Sequence, residues 1–264
     1  MRGVMRTRNM RDFAAECEDL APLETFAPSV FVGDANASQQ VCNFVLALAL
    51  VYNDCKDIIY AHIILEQSKP SDPPSRSRAW GAWGGIEHHI FRLIVGMLHS
   101  LFELIQSNRS ALDDSFLQSV IRQLRADHRD AWQTVVGVAL DASPSDGLGR
   151  ALMLVRNKIA FHYDPKCIFR GYQRHFLGED PRDERAFISR GMNMAQSRFY
   201  FADAASIGYV GTAAAPEIDN ELVRTTFDFL RPLNRALMQL VEGFIQRRGG
   251  RYRSTPEERR ITIA

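Results

Sequence analysis

The segment SQQVCNFVLALALVYNDCKDIIYAHIILEQSK, residues 38–69, contains no proline or glycine and carries apolar residues around most of a helical wheel. A helix with so little polar surface must be covered by neighbours, so the chain is expected to fold as an all-α bundle with this helix at its centre. Ser38 marks the start, because its hydroxyl can accept from the free amides of the first turn. The PSDPPSRSR that follows has three prolines, cannot continue a helix, and reads as an exposed connection.

Helical apolar spacing recurs at 86–106, 114–140, 148–161 and 218–246, which makes about five long helices. The Asp113-Asp114 pair suits the positive end of the third helix, SPSDG terminates it, and Pro232 is expected to kink the last. Residues 164–216 differ in texture. They hold a short helical candidate at 169–176, a charged EDPRDER loop, and the β-prone SRFYFADAASIGYVG, and are read as an irregular insertion carrying a small β-hairpin. The expected organisation is a basic N-terminal segment at 1–36, a helical domain at 37–248 interrupted by that insertion, and a basic, mobile tail at 249–264.

With 264 residues, 46% of them hydrophobic, the chain can bury a substantial core. A formal net charge of +1 gives no overall field toward nucleic acid, membrane or acidic ligands, so any basic site must be local. Of the 32 basic residues, 28 are arginine, which suits both a GC-rich genome and phosphate binding. Cys17, Cys42, Cys55 and Cys167 are scattered without a Cys-x-x-Cys pair, which points to free thiols in a reducing compartment. The basic N-terminus lacks an apolar core behind it, and the longest apolar run, 45–52, is far short of a membrane span. A soluble cytoplasmic protein with no membrane partner is the expectation.

The functional question is concentrated in LMLVRNKIAFHYD, residues 152–164. Leu148, Leu152, Val155, Ile159 and His162 follow each other at helical spacing, which places the histidine at the end of a buried stripe. Two readings stand: a catalytic pair, or the polar end of a core helix. Spacing alone does not separate them, since arginine precedes histidine by five to seven positions also at Arg92/His99, Arg122/His128 and Arg170/His175. On a continuous helix, six residues rotate by about 600°, so Arg156 and His162 would point roughly 120° apart. Convergence then needs a wrapped arginine, a loosened helix end or a second subunit.

The whole string Val155-Arg156-Asn157-Lys158-Ile159-Ala160-Phe161-His162 resembles the signature of the HEPN superfamily, all-α domains marked by Arg, a polar residue and a following His. The resemblance implies a metal-independent, cofactor-free endoribonuclease acting as a homodimer, in a toxin, stress or phage-defence setting and with a possible cognate antitoxin. Carried over, His162 is general base or acid, Arg156 the phosphate clamp and Asn157 an orienting group. These residue types suit cleavage through the RNA 2′-OH, which needs a base near neutral pH and a fixed cation for the phosphorane. Tyr163 and Asp164 would support His162, although Asp164-Pro165 equally suits the start of another helix. Some family members have a tyrosine two places beyond the histidine; here it is one place beyond. The competing class is a non-catalytic helical module that binds RNA, a nucleotide or a protein.

Three further features bear on partners. His88, Arg92, Val95 and His99 form a polar stripe on the second helix, which reads first as an ordinary buried polar layer or exposed face and second as RNA contact or support of the motif. A metal held by His62, His88 and His99 is a weaker alternative, because repeated Glu-x-x-His motifs are absent. WGAWGG, at 80–85, reads as an aromatic cover for the bundle end ahead of a base-stacking platform. The arginines at 2–11 and 247–260 could add phosphate contacts.

Overall fold

The computed structural model describes residues 24–71, 78–140, 164–179, 186–189, 197–213, 219–250 and 253–254. They are mostly helical: α1 (Gln39–Gln67), α2 (Arg78–Ser107), the single turn α3 (Arg109–Leu112), α4 (Ser115–Ile121), α5 (Ala126–Leu140), α6 (Pro165–Tyr172), α7 (Tyr200–Ala213) and α8 (Asp219–Arg247). Two strands of two residues each, β1 (Glu24–Thr25) and β2 (Arg253–Ser254), pair antiparallel. Four helices form the main body: α1 packs on α2 and α8, and α5 packs on the same two. Helices α6 and α7 pack on each other, and α7 joins the body along α2.

The helix starts follow local chemistry. Ser38 accepts from Val41 N at 3.3 Å, and Asp114 Oδ1 accepts from Phe116 N and Leu117 N at 2.9 and 3.1 Å. Because one carboxylate serves two otherwise unpaired amides of α4, Asp114→Ala is expected to cost about 1 kcal/mol in urea unfolding. An unchanged midpoint would show that water serves those amides as well.

The expected third helix is two helices. After Ile121 the chain makes a turn, and α5 begins at Ala126 with Gln239 of α8 accepting from Arg125 N (3.4 Å) and from His128 Nδ1 (2.8 Å). The break keeps Leu117, Ile121, Leu124, Trp132 and Val135 all turned toward the core. It is bought by a long-range contact, with no proline or glycine at the break.

The expectation of α1 at the centre is also corrected. Its inner face, Val41, Cys42, Phe44, Val45, Leu48 and Cys55, is buried, whereas Leu46 and Leu50 are 53% and 62% exposed. The central helix is α2, in contact with α1, α5 and α7 and burying Phe91, Ile94, Val95, Leu98, Leu101 and Ile105. By length and composition its residues Ala79–Ser107 could cross a bilayer, but half of the most apolar stretch is buried inside the protein, as a core helix requires.

Helix α2 starts at Arg78, eight residues earlier than its apolar spacing suggests, and takes in WGAWGG. Trp83 Nε1 donates to Leu65 O (3.0 Å), and Trp80 packs edge-on against Trp83 with Lys69 Nζ 4.7 Å from the Trp83 ring centroid. The tryptophans thus cover the α1–α2 end, as expected. The run 200–213 is α-helical; of the expected hairpin, the described residues retain one antiparallel bridge, Ser189 with Arg198. Its β-prone side chains are overridden by packing: Gly171 of α6 and Gly208 of α7 let the two backbones meet.

At the opposite pole Arg248, its side chain 5% exposed, donates Nε to Val30 O at 3.1 Å and its other nitrogens to Val32 O and Asp34. Arg247 bonds Gln123 (3.1 Å) and Ser119. These two arginines are structural, and Arg253–Ser254, expected in a mobile tail, are strand-paired. Cys42, Cys55 and Cys167 are buried free thiols; Cys17 lies outside the described residues.

Candidate functional site

Arg156, Asn157, His162 and Tyr163, the centre of the expected site, lie outside the described residues. Directly beyond them, Asp164 caps α6: its Oδ1 accepts from Lys166 N (3.0 Å) and Cys167 N (3.2 Å), and Pro165 fills the first helical position, where no amide is needed. Of the two roles open to Asp164 in the sequence, the described contacts are those of a helix start.

Among the described residues the polar stripe of α2 is brought against α7. His88 is buried, and its Nε2 shares a 2.7 Å hydrogen bond with Ser206 Oγ, also buried. One turn on, Arg92 Nη2 donates to His89 Nδ1 at 3.2 Å. Arg198, just ahead of α7, donates Nε to Asp203 Oδ2 at 2.8 Å, and its guanidinium lies where a Cβ on Gly85 would sit, at 1.9 Å. The ring of Tyr200 occupies the same place over Gly81, at 2.7 Å. His99 is farther along, 3.6 Å from the Glu103 carboxylate.

The electrostatics of this cluster follow from burial beside cations. Burial, with the Arg92, His89 and Arg198 charges added, pushes His88 down to about 3, so the imidazole is neutral at physiological pH. His89 is lowered by its partial burial and by Arg92 and Arg198, with Asp203 opposing. A neutral His88 bonded to a serine pins α2 to α7. The groups able to meet an anion here are the half-buried Arg92 and exposed His89. The polar groups at this part of α2 therefore divide by role: His88 faces inward to the insertion, while Arg92 of the stripe and the neighbouring His89 lie nearer the surface.

No group of three His, Cys, Asp or Glu placed to hold a metal occurs among the described residues. His62 instead stacks on Phe227 of α8, ring centroids 3.7 Å apart, and burial lowers its pKa.

Ser206, Arg198, Asp203 and Tyr200 were not expected at this site, since all lie in the run read as β. One signal for them exists in the sequence. Gly81 and Gly85 are four apart, so a helical reading of WGAWGG puts both on one face as a seat for large side chains. Compared with protein-family models, curated proteins and solved structures, the chain has no significant match.

Proposed function

We propose that this chain is a metal-independent endoribonuclease of HEPN type, acting as a cytoplasmic homodimer in a toxin, stress or phage-defence setting with a cognate antitoxin. The observation that carries the proposal is the string Val155–His162, with Arg-Asn and His at the family spacing, set in a chain whose described residues are mostly helical. His162 takes the proton of the RNA 2′-OH, O2′ attacks phosphorus, and Arg156 balances charge on the phosphorane. The bond to the 5′-oxygen breaks, and that oxygen leaves with the proton given up by the His162 imidazolium, giving a 2′,3′-cyclic phosphate and a 5′-hydroxyl. Asn157 orients the phosphate, half-buried Arg92 on α2 guides RNA, and His99 and Tyr163 support the motif.

The test is cleavage of total RNA by purified protein in EDTA, beside His162→Ala and Arg156→Ala variants shown to be folded. Both substitutions are expected to lower cutting by about 100-fold or more, the size typical for removal of an acid–base group or a charge-stabilising donor. Cutting by folded variants at the wild-type rate would sink the proposal. The second reading, a non-catalytic helical module, is favoured by the inward turn of His88 onto Ser206. It predicts RNA or protein binding without cleavage.

A further inference from the structure

Helices α1 and α2 run antiparallel, and on their outer side they leave a groove of about 370 Å³ lined by Asp54, Asp57, Ile58, Leu93, Gly96, Met97 and Ser100. Helical spacing extends it both ways. On α1, Leu50 and Leu46 continue the line of Asp54 and Asp57 toward one end and Ile64 toward the other; on α2, Ile86 stands two turns before Leu93. Leu46, Leu50, Ile64, Ile86 and Leu93 are all large apolar residues at the surface. The charged side chains lining the groove are both carboxylates, and Lys56 leans on Asp57 from the flank at 2.8 Å. Glu103, 59% exposed, follows Ser100 by one turn.

We infer that this groove docks an amphipathic helix of a partner protein, its apolar stripe seated on Leu50, Ile58, Leu93 and Met97 and its lysines or arginines beside Asp54 and Asp57. An apolar floor with alternating i, i+3/i+4 contacts is what a docked helix recognises, and the acidic rim selects the sign of its flanking charge. The same carboxylates argue against the other occupants. A second copy centred antiparallel on the groove, with its two-fold axis beside Asp54 and Asp57, brings these carboxylates against their own counterparts. An anionic bilayer meets like charge, and so does RNA, which separates this face from the ribonuclease reading.

The experiment uses the full chain and a fluorescein-labelled synthetic helix of about 18 residues, long enough to be helical, built of leucine at i, i+3, i+4 and i+7 with lysine elsewhere. A second peptide has glutamate for every lysine. Anisotropy is expected to show binding of the lysine peptide and none of the glutamate peptide. Leu50→Glu, and separately the Asp54→Lys/Asp57→Lys pair, should each weaken binding by about ten-fold or more. Asp130→Lys with Glu242→Lys, the same charge change at exposed sites elsewhere, should leave it intact. These substitutions fall on exposed or rim positions, and circular dichroism confirms each fold. The inference is overturned by equal binding of both peptides, by no binding, or by equal loss in the control pair. It is overturned too if sedimentation shows a dimer that Leu50→Glu dissolves, or if phosphatidylserine vesicles bind through Leu50.

Discussion

Replacing Gly171 by alanine is expected to separate α6 from α7 and to cost about 3 kcal/mol or more, toward the upper end for overpacking, because what the methyl meets is backbone. A Cβ at 171 would lie 1.9 Å from Ala205 O and 2.6 Å from Tyr209 N. Neither atom can swing aside as a side chain would. The helices must part, which exposes Cys167, Ala205, Ser206 and Tyr209, all buried now, and breaks the register that sets Ser206 under His88. Gly84→Ala is the matched control: its Cβ meets nothing within 4 Å, and a helical alanine in place of glycine should stabilise by about 0.5–1 kcal/mol. Urea unfolding of the two variants should therefore move in opposite directions. A Gly171→Ala protein as stable as the wild type would mean that the crossing is wider than described.

The second large effect is acid destabilisation through His88. Its pKa in the fold is about 3, against 6.5 for the free side chain, so between those values the unfolded chain binds a proton that the native one refuses. The stability contributed by a neutral His88 is complete above pH 6.5 and is lost as pH falls toward 3. Between pH 7 and pH 5 the loss is about 2 kcal/mol for this one group. Arg92, His89 and Arg198 help to carry the loss to lower pH, since each adds positive charge near the ring and lowers the native pKa, and Asp203 opposes Arg92 and Arg198 at the neighbouring His89. His88→Gln retains an acceptor for the Ser206 hydroxyl and cannot titrate. Urea midpoints measured at both pH values should converge for that variant; parallel pH curves for the two proteins would remove His88 as the cause.

What was legible in the sequence was what local chemistry decides. Ser38 and Asp114 cap helices because a short polar side chain reaches its own first turn wherever the chain goes, and the 3.6-residue spacing of α8 survives Pro232 inside it. Tertiary contacts decided the rest. The aromatic and β-branched content of 197–211 favours strands, yet Gly171 against Gly208 rewards a helix there, and those two residues are 37 positions apart. Likewise the glycines of WGAWGG weaken a helix in isolation, and only Tyr200 and Arg198 seated on them explain why α2 begins at Arg78. Of the candidate site, the stripe His88, Arg92, His99 was visible from spacing, but its partner was not, because Ser206 lay in a segment assigned the other periodicity.

The Arg248 clamp and the β1–β2 pairing have a consequence for the order of events in folding. Val30, Val32 and Asp34 are more than 200 positions from Arg248 along the chain, so closing that loop costs about 2 kcal/mol more in entropy than closing a neighbouring helix pair. The clamp can form only after α1 and α8 have docked and brought its two sides together. It belongs to the late side of the folding barrier, where it governs how fast the native protein opens and has little influence on how fast it is reached. Arg248 thus acts as a latch on lifetime.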